Sequence, residues 1–395
     1  MTRFRRPLAA ILTLSCTFAL AANAAGAKEP DQSDAARPLW VYVGTYTWKT
    51  SKGIYLCHLD TATGKLELTG LAAETVNPSF VVRHPTRPLL YAIGEIDRLA
   101  GKPGGAVSAF AIQPKTGQLT LLNKQSSCGA GPCHIGIDHS GRCIFAANYT
   151  GGNVACLPID ADGRLGPAAS VIQHQGSGPV PRRQEAPHAH QMCVDPANRI
   201  AMGVDLGADR IFLYRLDPAR ATLTPSDPAF FATAPGAGPR HLTFHPNGNY
   251  VYVINELANT MTALRYDAGH ATLAAIQTVS TLPDGFHGNN STAEVQIHPS
   301  GKFVYGSNRG HDSIAIFAID AETGRLRAVG HASTQGRSPR SFAIDPSGRY
   351  LVAANQDTSN VIVFRIDADS GRLEPVGPTL AVPTPVCIEM MRPVE

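Results

Sequence analysis

Several things are scarce in this chain, and each absence removes a class of protein. Apolar residues at helical spacing are almost nowhere, so neither a helical bundle nor an alternating α/β sheet is expected. No Cys-x-x-Cys pair occurs among the eight cysteines, which removes a zinc ribbon. No Gly-x-Ser-x-Gly elbow is present, so a nucleophilic serine triad has no support. Net charge is also small. The formal value is +3 over 395 residues, and Arg3, Arg5 and Arg6 alone account for it, leaving 0 (3 − 3) for everything that follows residue 27. A chain without a basic field is a poor partner for nucleic acid or an anionic membrane, and a small neutral or anionic molecule suits it better.

Long apolar runs are missing too, with one exception. Residues 8–20 are apolar, follow the three arginines and precede small residues, with Ala22 and Ala24 or Ala25 and Ala27 forming Ala-x-Ala cleavage sites. The run is too short to span a bilayer and reads as a secretory signal peptide over residues 1–27, with a short lead-in over 28–37. Export to the periplasm or the medium is expected, with no membrane attachment after cleavage. Cys16 lies inside the apolar core of the signal, before Phe18, Ala19 and Leu20, and not at a lipidation site. Seven cysteines remain, an odd number in an oxidising compartment, so at least one stays free. Most sit in strand-like apolar runs. Cys128 and Cys133, in a loop, are the pair best placed for a bridge.

What is abundant is turn chemistry: 37 glycines and 30 prolines punctuate short strands. A unit of about fifty residues recurs, within the range of propeller repeats. In each unit an alternating strand ends in His-Pro or Asp-Pro, a second strand of the type apolar-Tyr-Val-x-Asn follows, and a third leads to an Asp-x-x-x-Gly-x-Leu turn. The anchors are His84-Pro85, Asp138-His139, Asp195-Pro196, His245-Pro246, His298-Pro299 and Asp345-Pro346, marking six first strands. Second strands number seven, at 40–46, 89–95, 143–149, 199–205, 250–256, 303–309 and 350–356. The missing first strand stands at the other end, where Thr384-Pro385-Val386-Cys387-Ile388-Glu389 copies the pattern. The expected fold is therefore all-β: one seven-bladed β-propeller over residues 38–395, closed by N- and C-terminal strands that share a blade and so leave no unpaired edge. A monomer is expected. Residues 174–186 and 283–291 form its long loops.

Strand alternation separates two columns in the first strands. Three residues before each anchor stand Val81, Ile135, Met192, Leu242, Val295 and Phe342, uniformly apolar and suited to packing between blades. Four before stand Phe80, His134, Gln191, His241, Glu294 and Ser341, which should line the channel. Second strands return to the same rim with Tyr46, Glu95, Asn148, Asp205, Asn255-Glu256, Asn308-Arg309 and Asn355-Gln356. Residues five before the anchors add His190, Arg240 and Arg340. Distant segments thus converge on one polar mouth, a candidate site. The plain alternatives are that the recurring Asn residues are turn formers and that the arginines pair with Glu256 and Glu294 merely to tie blades. His188 and His190 lack a third ligand, so no metal is expected.

The runs Pro187-His188-Ala189-His190, Gly238-Pro239-Arg240-His241, Asn255-Glu256-Leu257, Ala293-Glu294 and Ser307-Asn308-Arg309-Gly310-His311-Asp312-Ser313, taken in order, resemble the propeller-type lactonase family. That family includes bacterial 6-phosphogluconolactonases and, more distantly, fungal carboxymuconate-lactonizing enzymes. The resemblance covers essentially the whole mature chain. It implies a cofactor-free lactone hydrolase acting on a lactone or sugar acid, with His190 (or His188), Arg240, Glu256 and Arg309 as catalytic residues. Glu256 or His190 would act as base, and the arginines would stabilise an oxyanion or hold an anion. It further implies that His134, His188, His241, Glu294, Asn308, His311 and Arg340 position the substrate. Export disfavours a phosphorylated cytoplasmic lactone and favours an unphosphorylated one. A lactonizing isomerase and a non-catalytic binding propeller are the other readings, and the clustering of Arg, His and Glu on selected blades favours an enzyme.

Overall fold

The computed structural model describes residues 1–2 and 38–394; the expected signal peptide and lead-in fall outside the described residues. Every regular element described is a β-strand. The strands form seven antiparallel sheets plus one small hairpin, Arg98–Leu99 with Lys102–Pro103. Each sheet is a blade. Six are each built from one stretch of chain, one of them interrupted by that hairpin, with the first strand of the repeat at one edge. The seventh joins the chain's ends: Pro385–Met391 pairs with Leu39–Thr45, setting Tyr42 opposite Glu389, Val43 opposite Ile388 and Gly44 opposite Cys387. The propeller expected from the repeat is the fold observed.

The buried apolar side chains fall into seven clusters, each drawing on two neighbouring blades. There is thus no single core; the hydrophobic free energy sits at the junctions. The column Val81, Ile135, Met192, Leu242, Val295 and Phe342 lies in those junctions, none of them more than 4% exposed.

Two hydrogen-bonded contacts recur at the junctions and explain two of the repeat's motifs. In the second strands, Tyr42, Tyr91, Tyr252 and Tyr305 donate their hydroxyls to the carbonyls of Gly117, Gly163, Gly324 and Gly371, each in the turn of the next blade. Those glycines hold φ between 69° and 90°, and a Cβ on any of them would meet a neighbouring side chain at 2.7 Å or less. At two junctions both members are replaced, whereas at the junction that closes the ring Val352 stands in the tyrosine's place and Gly64 is kept, at φ 78°. Phe145 shares its cluster with Ala221, and Met202 shares its cluster with Ala271. The His anchors add the second contact: His84, His245 and His298 bond through Nε2 to the carbonyls of Gly141, Gly301 and Gly348 in the following blade. The Asp anchors bond both ways: Asp138 Oδ1 accepts from the amides of Arg142 and Cys143 in its own turn, while Asp138 Oδ2 accepts from Asn198 and Asp195 Oδ2 from Tyr266 in the following blade.

Cys128 and Cys133 do not pair; the seven cysteines described are free. Cys133 belongs to the innermost strand of its blade and is buried with its thiol toward the carbonyls of Ala189 and His190, whereas Cys128 is exposed in the preceding turn.

Tyr252→Phe leaves the Gly324 carbonyl without its donor and should cost about 1–3 kcal/mol in denaturant unfolding. Deleting residues 385–395 should abolish the cooperative thermal transition, because Leu39–Thr45 then becomes an open edge. A truncated protein that melts cooperatively at the parent temperature would contradict closure by this strand.

Candidate active site

The site begins with a backbone irregularity repeated around the ring. Pairing runs from Ala189↔Asp205 directly to Gln191↔Val204, leaving His190 as an extra residue; the same shift leaves Arg240 extra before His241, Arg340 before Ser341 and Cys133 before His134. In the sixth blade Thr292↔Asn308 and Val295↔Gly306 bracket Ala293 and Glu294. A bulge of this kind breaks strict alternation, so two successive side chains can turn toward one side. They do: Arg240 Nη1 lies 3.3 Å from Nε2 of His241, its own neighbour.

Below the rim, the column expected to line the channel meets at the axis. The Phe80 and His134 rings are 4.2 Å apart, His134 and His241 5.2 Å, and His241 and His190 5.1 Å. His241 Nδ1 lies 3.3 Å from Glu294 Oε2. Burial, followed by the nearby guanidinium groups, pushes the His190 and His241 pKa values well below the usual histidine range; burial, then His241 and Arg240, does the same to His134. Glu294 is pushed up to about 8 by burial, against the pull of Arg240 and the Val295 amide. His241 and Glu294 therefore face each other at neutral pH as an imidazole and a carboxylic acid, not as an ion pair.

At the rim a carboxylate gathers arginines. Glu256, whose side chain is 7% exposed, lies 2.5 Å from Arg183 through Oε1, and through Oε2 3.0 Å from Arg240 Nε and 2.9 Å from Arg309 Nη2. Burial alone would raise its pKa, but Arg309, Arg240 and Arg183 overcome that and hold it at about 2. Arg240, in turn, is lowered to about 9 by burial and by Arg309 and Arg340. Two of its N–H groups are spoken for differently: Nη1 donates to the Ala293 carbonyl at 2.6 Å, while Nε, close to Glu256, points its hydrogen at no acceptor. Arg309 Nε and His190 Nδ1 are likewise buried without a partner. Arg340 stands over the Tyr46 ring at 5.5 Å and makes no ion pair or hydrogen bond among the described residues. Tyr46 donates to Glu95, which also accepts from Ser79. Four guanidinium groups thus meet two carboxylates, and buried N–H groups left over in such a place mark where a ligand's oxygens would bind.

His190, Arg240, Glu256, Arg309, His134, His241, Glu294 and Arg340 are brought together. His188, Asn308 and His311 are not part of this cluster. His188 stacks on Tyr149 at 4.4 Å, and its Nδ1 meets the Tyr149 carbonyl. Asn308 is fully buried and uses its amide on the Thr281 carbonyl and hydroxyl, the turn role that a strand-end Asn takes by default. His311 bonds Ser313 and packs against Phe286 and His331. Arg183 escaped sequence reading because it lies in the 174–186 loop, outside the repeat. That loop is fixed in place. Asp205 Oδ2 bonds His174 Nδ1 at 2.6 Å, His174 Nε2 meets the Tyr214 hydroxyl at 2.8 Å, and Gln184 donates to the Leu206 carbonyl at 2.8 Å.

Residues 40–390 match the family described as Lactonase, 7-bladed beta-propeller. The chain is 40% identical over 353 residues to a protein of Bacillus subtilis named 6-phosphogluconolactonase, covering 89% of this chain and 98% of that one. Among solved structures it is similar to the periplasmic gluconolactonase of Pseudomonas aeruginosa (33% identity, TM-score 0.85, 90% of this chain and 99% of that one). It is also similar to a crystal structure from Bacteroides fragilis (36% identity, TM-score 0.84, 92% and 100%).

The raised pKa of Glu294 has a sign that can be checked. An unfolded glutamate titrates near 4.3, so between about pH 4 and 8 folding takes up a proton at Glu294; the stability this contributes is complete below about pH 4 and is lost as pH rises through about 8. Glu294→Gln should flatten the fall in melting temperature between pH 5 and pH 9, measured by calorimetry, and an unchanged slope would count against a protonated Glu294.

Proposed function

Because the chain belongs to the seven-bladed β-propeller lactonase family, we propose that it is a lactone hydrolase that opens a sugar-derived lactone by attack of water, with arginines stabilising the oxyanion. The observation that carries this reading is the pairing, in one dry mouth, of unpartnered guanidinium N–H groups on Arg240 and Arg309 with the bare Nδ1 of a neutral His190.

In this reading the lactone carbonyl oxygen points to Arg240 and Arg309. His190 accepts a proton as water adds to the carbonyl carbon, and the tetrahedral oxyanion falls on the guanidinium groups. The ring C–O bond then breaks, the departing alkoxide takes the proton back from His190, and a hydroxy acid is left. Glu256 works through the arginines, holding three of them in one place. Arg340, which stands over the Tyr46 ring and makes no ion pair among the described residues, is placed to hold a ring hydroxyl or the product carboxylate.

We further propose that the protein works outside the cytoplasm. The support is the apolar run at 8–20 behind three arginines and the likeness to a periplasmic gluconolactonase. An unphosphorylated sugar lactone is the substrate class that fits such a compartment.

Hydrolysis of δ-gluconolactone by protein beginning at residue 28 should exceed the spontaneous rate, and Arg240→Ala should lose about 10²–10³ in kcat. Absence of acceleration with gluconolactone, its 6-phosphate and other small lactones would overturn the proposal. Because His190 stays unprotonated well below the usual histidine range, kcat should hold level as pH falls from 7.5 to 6. A halving near pH 6.5 would assign the base to an ordinary histidine instead.

A further inference from the structure

Tyr149 takes no part in the mechanism proposed above, yet its hydroxyl stands beside the groups that do. The residue follows the second strand of its blade, Cys143–Asn148, and is half-buried. Its ring is held on two sides, stacked on His188 at 4.4 Å and 13° and set edge-on to His190 at 5.7 Å and 79°. His188 is itself fixed, its amide donating to Asp205 Oδ1 and its Nδ1 meeting the Tyr149 carbonyl. At the far end of the ring the hydroxyl oxygen lies 3.5 Å from Arg183 Nη2, the same nitrogen that reaches Glu256 Oε1. Tyr149 thus joins His190 to the arginine cluster.

What sets this hydroxyl apart is its hydrogen. Of the eleven tyrosines in the chain, nine donate to a carbonyl, a carboxylate or an imidazole. Tyr55 and Tyr149 are acceptors instead, Tyr55 from the Lys52 amide in an exposed contact and Tyr149 from Arg183. A tyrosine enclosed by its neighbours ordinarily gives its hydrogen to a partner. Among the described residues the Tyr149 hydrogen has no acceptor. It is present at neutral pH, because burial, against the pull of Arg183, holds the pKa above the usual tyrosine value. A guanidinium donating to the same oxygen also polarises the O–H bond and strengthens it as a donor.

The proposed mechanism leaves one reacting atom without a protein group. The carbonyl oxygen goes to Arg240 and Arg309 and the attacking water to His190, while the ring oxygen, which takes up the bonding electrons when the ring opens, is unattended. We propose that Tyr149 is a further catalytic residue, whose hydroxyl donates to the ring oxygen of the lactone and stabilises the charge gathering there as the C–O bond breaks. This rests on the lactonase reading and supplies its leaving side. No atom changes hands at Tyr149: the electron pair passes to the ring oxygen, the proton that neutralises it comes from His190, and the phenol returns unchanged. A donor already in place when charge develops needs no reorganisation, which is where such a contact has its effect. His188, stacked on the ring, is a positioning residue for it.

The test measures kcat and KM for δ-gluconolactone, with the melting temperature of each protein, in the parent, Tyr149→Phe, Arg183→Met and the double variant. Phenylalanine keeps the ring against His188 and His190 and removes the hydroxyl alone. Tyr149→Phe should lower kcat about ten- to hundredfold, with KM within about threefold of the parent and the melting temperature unchanged. A tyrosine that merely steadied Arg183 would cost nothing once Arg183 is gone, so Tyr149→Phe should still lower kcat at least about fivefold in the Arg183→Met background. A Tyr149→Phe kcat within about twofold of the parent, a loss confined to KM, or a loss that vanishes in the Arg183→Met background would overturn the role of Tyr149. With the parent still active and Arg240→Ala impaired, any of those results leaves the lactonase reading standing. No hydrolysis by the parent of gluconolactone, its 6-phosphate or other small lactones would instead remove the reading on which the proposal rests.

Discussion

A ring of sheets has no centre to collapse onto, so everything here depends on each blade gripping the next. The grip is made at the junctions, where apolar clusters shared by two blades carry the hydrophobic free energy and a tyrosine hydroxyl on a glycine carbonyl fixes the alignment. The glycine cannot be exchanged independently, because its positive φ and the lack of room for a Cβ both belong to the fit with the neighbour. Tyr and Gly are replaced together at the Phe145–Ala221 and Met202–Ala271 junctions, while the closing junction keeps Gly64 with Val352 in the tyrosine's place. Closure by Pro385–Met391 supplies the last junction, whose apolar cluster joins the first blade to the seventh.

That rigidity is what makes the mouth usable for chemistry. The same bulge opens several first strands, yet the residues it turns inward differ from blade to blade: Cys133 with His134, His190 with Gln191, Arg240 with His241, Arg340 with Ser341. The repeat thus supplies identical backbone platforms, and the departures from it supply function. Seven near-parallel approaches to one axis bring cations from different blades within contact of a single carboxylate, an arrangement that no single element of this fold could build alone.

Much of this was legible in the sequence. The anchors and the Tyr-Val-x-Asn strands gave the blade count, and the C-terminal copy of a first strand gave the closure. Counting back from His245 or Asp195 separated junction residues from channel residues, since that part of the strand alternates regularly. The bulge itself was invisible, because inserting one residue leaves composition and local pattern intact. Its trace was that Arg240 and His241, adjacent in sequence, both looked like mouth residues. Arg183 was illegible for another reason: its loop has no counterpart in other blades, and only Asp205, His174 and Gln184, which fasten that loop, place it over Glu256. Asn308 was placed at the rim as the end of a second strand, and His311 by the family resemblance, but Asn308 bonds Thr281, and His311 bonds Ser313 beside Phe286 and His331.

The two buried carboxylates of the mouth, one blade apart, are driven to opposite states, and this separates their roles on the proposed mechanism. Glu256, with Arg183 beside one oxygen and Arg240 and Arg309 beside the other, is held at about 2 and is committed to the guanidinium groups. Removing its charge would leave Arg240, Arg309 and Arg340 in mutual repulsion, which after burial, the larger cause, already contributes to the lowered pKa of Arg240. Its work is to make a cluster of cations tolerable in a dry place, so that their unused N–H groups are oriented before a substrate arrives. Glu294 shows what a carboxyl does in the same channel without that company: it keeps its proton and faces His241 as a neutral acid. With one carboxylate committed to the arginines and the other to His241, the proposed mechanism assigns the proton of the attacking water to His190, a neutral ring whose buried Nδ1 has no hydrogen-bond partner.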